Sequence, residues 1–238
     1  AQIEESNNFI CIIPDEKTNE MYKKFVIQKP ECKLSVCPLY GKRTIVFIAG
    51  PSGCGKTTFA LKFMKQYLSM HPEHKAIIFT ADAKDETIQK YKTPEMKIFN
   101  LADPKLSKMQ NIDPAMFRDS IVFFDDIDFL MNQSLIHKLN DLRDRMVGIG
   151  RHFNISVLIS KHMVMDYRAT RNILSEACYI VVFPKSGSTR FVDSFFKTYF
   201  SSANQEVKNE ISQSHSRWVC CRMVHPQLVI TEKEIFLL

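Results

Sequence analysis

The chain has 238 residues, 45% of them hydrophobic, which is enough for one large α/β domain with modest extensions and its own core. Its 32 Lys and Arg against 26 Asp and Glu leave a formal charge of +6, which favours an anionic partner but is far from a histone-like tail. The apolar runs fall well short of the roughly 20 residues that cross a bilayer, and Ala1-Gln2-Ile3-Glu4-Glu5 does not read as a signal peptide, so no membrane span is expected.

In chain order, the first forty residues give two short strand candidates, Phe9 to Ile13 and Lys24 to Gln28, closed by Pro30 and Pro38. From Thr44 onward short β-branched runs alternate with amphipathic stretches, the pattern of a mostly parallel sheet covered by helices. The core strands predicted are Thr44 to Ala49, Ala76 to Thr80, Ser120 to Phe124, Ile155 to Ser160 and Cys178 to Phe183, with Met96 to Asn100 as a sixth candidate. Their near-continuous apolar character suits buried parallel strands. Ala60, Phe63, Met64, Tyr67 and Leu68 form one helical stripe, and Leu135, Leu139, Leu142 and Met146 a second. Beyond the polar loop Pro184 to Arg190, a helical region carries Phe191, Phe195, Phe196, Tyr199 and Phe200, and a helix is expected over Asn204 to Ser214. Arg217 to Val224, Leu228 to Thr231 and Ile235 to Leu238 alternate as a small antiparallel meander. The seven cysteines lack the spacing of a disulfide framework and include no CxxC pair, so a reducing, intracellular setting with structural or incidental thiols is expected.

Gly50-Pro51-Ser52-Gly53-Cys54-Gly55-Lys56-Thr57, followed by Thr58, matches GxxxxGK[ST] and stands between an apolar strand and an amphipathic helix, where a phosphate-binding loop belongs. Glycines let successive backbone N–H groups turn toward the phosphates of ATP. Lys56 reaches the β and γ oxygens, and the Thr57 hydroxyl ligates Mg²⁺. Ile121-Val122-Phe123-Phe124-Asp125-Asp126 supplies the acidic strand end such a loop needs. Asp125 is the second metal residue. Asp126 is either the base or orienting group for a lytic water or a cap of the following helix, and Asp128 reads more readily as a cap. Ser160 and His162, at the end of the strand Ile155 to Ser160, are candidates to sense the γ-phosphate, with a surface or capping histidine as the other reading of His162.

Three segments together resemble the FtsK/HerA superfamily of DNA-pumping ATPases, and within it the poxvirus-type genome-packaging ATPases of large DNA viruses. They are Gly50 to Thr58, Phe123 to Asp126, and Gly150-Arg151-His152-Phe153-Asn154 running on to Lys161-His162. The resemblance covers roughly residues 44 to 183. It implies an α/β fold of the additional-strand, RecA-like class. It also implies that Arg151 reaches a neighbour's nucleotide and that His162 stands where the packaging branch places a His. The Asp125-Asp126 pair departs from the Asp-Glu of FtsK and HerA and is similar to the viral branch. On this reading residues 1–43 are a β extension packing on the core, 44–200 an ATPase core, and 201–238 a helix with a β meander.

The implied function is an ATP-driven motor that translocates double-stranded DNA through a homo-oligomeric ring into a viral capsid, meeting a capsid or portal-vertex protein. Its setting would be host cytoplasm at assembly sites, or the virion. A nucleotide or small-molecule kinase is the alternative enzyme, although it would need an acceptor pocket and an Arg-bearing lid. A nucleotide-gated scaffold is the alternative from another class, disfavoured by the complete set Lys56, Thr57, Asp125 and Asp126. No helix-turn-helix, zinc finger or aromatic-basic platform is visible, so contact with DNA follows from the resemblance alone. Lys185 to Arg190 reads either as a solvated surface loop or as a basic loop tracking phosphates.

Overall fold

A computed structural model describes residues 2–3, 23–27, 32–39, 41–103, 112–162, 167–186, 195–198 and 205–238. The strands and helices follow in chain order. Strands β1 (Gln2–Ile3), β2 (Lys23–Val26), β3 (Leu34–Ser35) and β4 (Ile45–Ala49) precede helix α1 (Lys56–Met70). Next come β5 (Lys75–Thr80), α2 (Glu86–Tyr91), β6 (Met96–Asn100), β7 (Ser120–Asp125), α3 (Gln133–Ile149), β8 (Ile155–Lys161) and α4 (Tyr167–Glu176). The chain continues with β9 (Tyr179–Val182), α5 (Gln205–Gln213), β10 (Val219–Arg222), β11 (Leu228–Ile230) and β12 (Glu234–Leu237). Contacts divide the chain into two compact units. One comprises Pro38–Ala49 and Gly55–Ala177, the other Ala1–Cys37, Gly50–Cys54 and Cys178–Leu238.

The first unit is a parallel sheet in the order β4-β8-β7-β5-β6, with helices α1 to α4 in the same unit. Ile45, Val46, Phe47, Ile48 and Ala49 are all buried, so both faces of β4 are covered, as parallel strands require. Strand β8 is inserted between β4 and β7, which is the strand order of the additional-strand class. Met96 to Asn100 is a full member of the sheet, paired in parallel with β5. The stripe Leu135, Leu139, Leu142 and Met146 faces the core of this unit, as its spacing predicts. In α1, Ala60, Phe63, Met64 and Tyr67 are buried together with Phe59 and Leu61, while Leu68 is only partly so.

Arg43, just before β4, fastens three segments together. Its Nε donates to the carbonyl of Ile155 at 2.6 Å and its Nη2 to those of Val147, at 3.0 Å, and Met146. The guanidinium thus adds donors to carbonyls of the last turn of α3, that of Met146 also accepting from the Gly150 amide.

The second unit is antiparallel, with order β2-β12-β11-β10-β9, and β1 pairs separately with β3. The meander predicted near the C-terminus is present as β10 to β12, and α5 falls within the predicted 204–214. Within the expected Cys178 to Phe183 the strand β9 forms, and it joins this unit by pairing antiparallel with β10. Val181, Val182, Val219 and Cys220 are all fully buried. Phe9 to Ile13, Phe191, Tyr199 and Phe200 lie outside the described residues, as do 187–190 of the basic loop. Among the described residues no helix is long and apolar enough to cross a membrane, and the described cysteines are all free thiols.

Candidate functional site

The register of the parallel unit brings the polar ends of its strands into line. Thr80 pairs with Asp125, Phe124 with Ile159, and Ile48 and Ala49 with Ser160 and Lys161. All these residues stand at carboxyl ends of strands, the edge where open α/β sheets bind ligands. On the same side α1 starts at Lys56.

The loop leading into α1 is shaped by its glycines. Gly53 (φ 73°) and Gly55 (φ 106°) occupy left-handed backbone that a Cβ would strain. A Cβ at Gly50 would stand 2.7 Å from Cys54 Sγ and 2.9 Å from Phe183 Cδ2. Pro51 accepts a bond from the Cys54 amide at 3.4 Å, Ser52 is exposed, and Thr58 is half-buried on the first turn of α1. That first turn has no side-chain cap and no acidic residue, whereas α2 is capped by Asp85 and α3 by Asn132. A helix start with neither cap nor acidic residue suits an anion.

Asp125 is the hub of the cluster. It accepts from Thr57 Oγ1 at 3.2 Å, from Thr80 Oγ1 at 3.2 Å and from Ser160 Oγ at 3.1 Å. The side chain is 8% exposed. Burial, and next the charge of Asp126, push its carboxyl up to about 6 against the pull of the three hydroxyls. A cation beside it would reverse that balance. The oxygens of Thr57 and Asp125 form a hard donor set that fits Mg²⁺, and the loop's turned-in backbone fits a chain of phosphates.

Asp126 adopts a left-handed conformation (φ 45°, ψ 41°) that Asp tolerates, and its carboxylate makes no bond to the 3-10 turn Ile127–Phe129 that follows. The capping reading therefore has no support here. Instead the carboxylate accepts from Ser160 Oγ at 3.1 Å, lies 2.9 Å from His162 Nε2, and is 3.3 Å from the buried Lys56 Nζ. The Asp126 amide in turn donates to Ser160 Oγ at 2.9 Å. Asp128 is not a cap either. It pairs with Lys161 at 2.9 Å, while the Phe129 ring lies 4.3 Å from that of His162.

Lys56, Thr57, Asp125, Asp126, Ser160 and His162 are thus brought together. Arg151 is not among them: it is exposed on the 3-10 turn Gly150–Phe153, before the amino end of β8. Among the described residues its side chain makes no ion pair. Thr80 and Phe129 belong to the cluster and escape a reading of the sequence. The one signal for Thr80 is a hydroxyl closing the buried run Ile77-Ile78-Phe79.

The chain belongs to the AAA-domain family, whose model matches residues 42–174. It is 29% identical over 205 residues to the uncharacterised protein V3 of the Sputnik virophage, covering 85% of this chain and 80% of that one. Among solved structures it is similar to the genome packaging NTPase B204 of Sulfolobus turreted icosahedral virus 2. With sulfate bound, that protein gives a TM-score of 0.54 at 14% identity, over 80% of this chain and 96% of that one. In complex with AMPPCP it gives 0.52 at 13% identity, over 80% and 97%. The DNA-packaging ATPase B204 of Sulfolobus turreted icosahedral virus gives 0.53 at 16% identity, over 80% and 97%. At these identities the likeness is one of fold, and the fold is that of a RecA-like P-loop ATPase.

Proposed function

We propose that this AAA-domain protein hydrolyses ATP to drive double-stranded DNA through a homo-oligomeric ring during the packaging of a viral genome. The observation that carries the reading is the Asp125-Asp126 pair held by Ser160 and His162 from an inserted strand, beside a phosphate loop. A kinase has no evident use for a second carboxylate fixed in this way. The virophage relative and the viral packaging NTPases of like fold support the viral setting. Residues 44–200 form the motor core in this reading, with 1–43 and 201–238 as accessories and Lys185 at the start of a loop that could follow DNA phosphates.

Lys56 and the loop amides bind the phosphates, and Thr57 with Asp125 holds Mg²⁺. Held there, Mg²⁺ would supply positive charge against that developing on the phosphates. Lys56 moves from the Asp126 carboxylate to the nucleotide, which releases an oxygen of Asp126 to accept a proton from water. That water's oxygen bonds to the γ-phosphorus as the bond to the ADP oxygen breaks. His162 and Ser160 keep Asp126 aimed and register whether the γ-phosphate is present. Arg151 serves a neighbouring subunit. The seven residues of β8 separate the turn that bears it from Ser160 by about 20 Å, and an Arg side chain reaches only about 7 Å.

The test is the ATPase rate with and without duplex DNA across a salt series. Stimulation that fades as salt rises is expected, because gripping phosphates releases counterions. Absence of stimulation at low salt, or phosphate transferred to a nucleoside, overturns the reading.

A further inference from the structure

A second cluster of ligating side chains lies at the far end of α1. That helix is 15 residues long, so about 22 Å separates the cluster from the phosphate loop. His71 ends the helix, its amide bonded to the Tyr67 carbonyl at 2.9 Å, and Pro72 prevents a further turn. The His74 amide then returns to the His71 carbonyl at 3.1 Å. This tight turn stacks the two imidazoles with centroids 4.8 Å apart and planes 14° from parallel. Glu73 Oε1 lies 3.2 Å from His74 Nε2.

We propose that His71, Glu73 and His74 bind a divalent transition-metal ion of the zinc type, bracing the turn between α1 and β5. Their ligand atoms all lie within 4.8 Å of one another. The 3.2 Å between His74 Nε2 and Glu73 Oε1 is close to the roughly 3.4 Å between ligands of a tetrahedral zinc with bonds of about 2.05 Å. Glu73 is exposed and free to swing, whereas the His74 side chain is 8% exposed and fixed. What fixes it is Tyr67, whose hydroxyl lies 2.7 Å from His74 Nδ1. This is the outer partner that ligating histidines ordinarily have.

The chemistry balances simply. With the ion on His74 Nε2, the imidazole would be neutral with its proton on Nδ1, placed to donate to the Tyr67 oxygen, and any proton at Nε2 would leave to solvent. Two imidazoles and one carboxylate suit zinc or cobalt better than magnesium, and they leave a fourth position for water.

The test uses the full, tag-free chain stripped of metal, with Zn²⁺ uptake counted by atomic emission and Co²⁺ followed by visible absorption. One equivalent should bind, with tetrahedral Co²⁺ bands and no thiolate charge-transfer band, which separates this site from the free cysteines. Glu73→Ala, at an exposed position that cannot unfold the chain, should weaken Zn²⁺ at least about tenfold, and Tyr67→Phe about ten- to a hundredfold. The double variant His71→Ala/His74→Ala should bind none. Unchanged affinity in Glu73→Ala, retention of the equivalent in the double variant, or a sulfur-type Co²⁺ spectrum overturns the proposal. Because these residues lie away from the phosphate loop, AMPPCP binding remains as a check that each variant is folded.

Discussion

Ser160 Oγ lies 3.1 Å from a carboxylate oxygen of Asp125 and 3.1 Å from one of Asp126. A hydroxyl has one proton, so it serves the two acids alternately while its oxygen accepts the Asp126 amide. Ser160→Ala leaves that amide without a partner and two adjacent carboxylates without a shared donor. Turnover should fall on the order of tenfold to a hundredfold with nucleotide binding retained. Phosphate release and fluorescent-nucleotide titration on the same preparation separate the two effects.

Lys56→Ala should abolish turnover, since it removes the cation that meets the β and γ oxygens. Asp126→Asn should keep ATP bound and lower hydrolysis on the order of a hundredfold to ten-thousandfold. Radiolabelled ATP binding alongside phosphate release measures both, and an Asp126→Asn rate equal to wild type removes the base assignment.

The elevated Asp125 carboxyl makes a pH prediction. With a folded value of about 6 against an ordinary 3.8, the folded chain holds a proton that the unfolded chain has lost. Stability of the ligand-free protein should therefore fall as pH rises through that window, by on the order of 3 kcal/mol, and change no further above it from this source. Asp125→Asn should raise the ligand-free Tm at pH 8 and abolish the added shift from Mg²⁺ with AMPPCP. Thermal scans from pH 4 to pH 8 test both.

Arg151→Ala subunits should be inactive alone, on the order of a thousandfold down in rate, with ATP still bound. Mixed with Lys56→Ala subunits that retain Arg151, they should regain hydrolysis in their own intact pockets. Full specific activity in a dilute monomer, or dead mixtures in which mixed rings have formed, contradicts a role in trans.

Arg43→Ala removes donors to the Ile155, Val147 and Met146 carbonyls at the end of the sheet away from the nucleotide. It should cost about 2 to 3 kcal/mol and lower Tm by roughly 4 to 10 °C. Calorimetry measures this directly, and nucleotide affinity in the folded protein should be unaltered.

The phosphate loop and Asp125 were legible because each is a local pattern: a few consecutive residues between a strand and a helix, or at a strand's end. The partnership of Asp125 with Thr80 was not, since it depends on the register of β5 against β7, which no local spacing encodes. The insertion of β8 between β4 and β7 came from the family resemblance, and without it the residues fix no strand order. Asp128 read as a cap because Asp caps well, and it was drawn away by Lys161, a neighbour supplied by another strand.

The ion pair between Lys56 and Asp126 has a consequence for the nucleotide-free protein. The lysine that must greet the fuel is already engaged, and its internal rival is the same group that later attacks that fuel through water. ATP therefore competes for entry with the machinery of its own destruction, and every arriving molecule must first unlatch it. A subunit carrying Asp126→Asn has no such rival. It should hold ATP more tightly than wild type while failing to spend it, and the proposed ring, poisoned by a few such subunits, would stall with its cargo gripped.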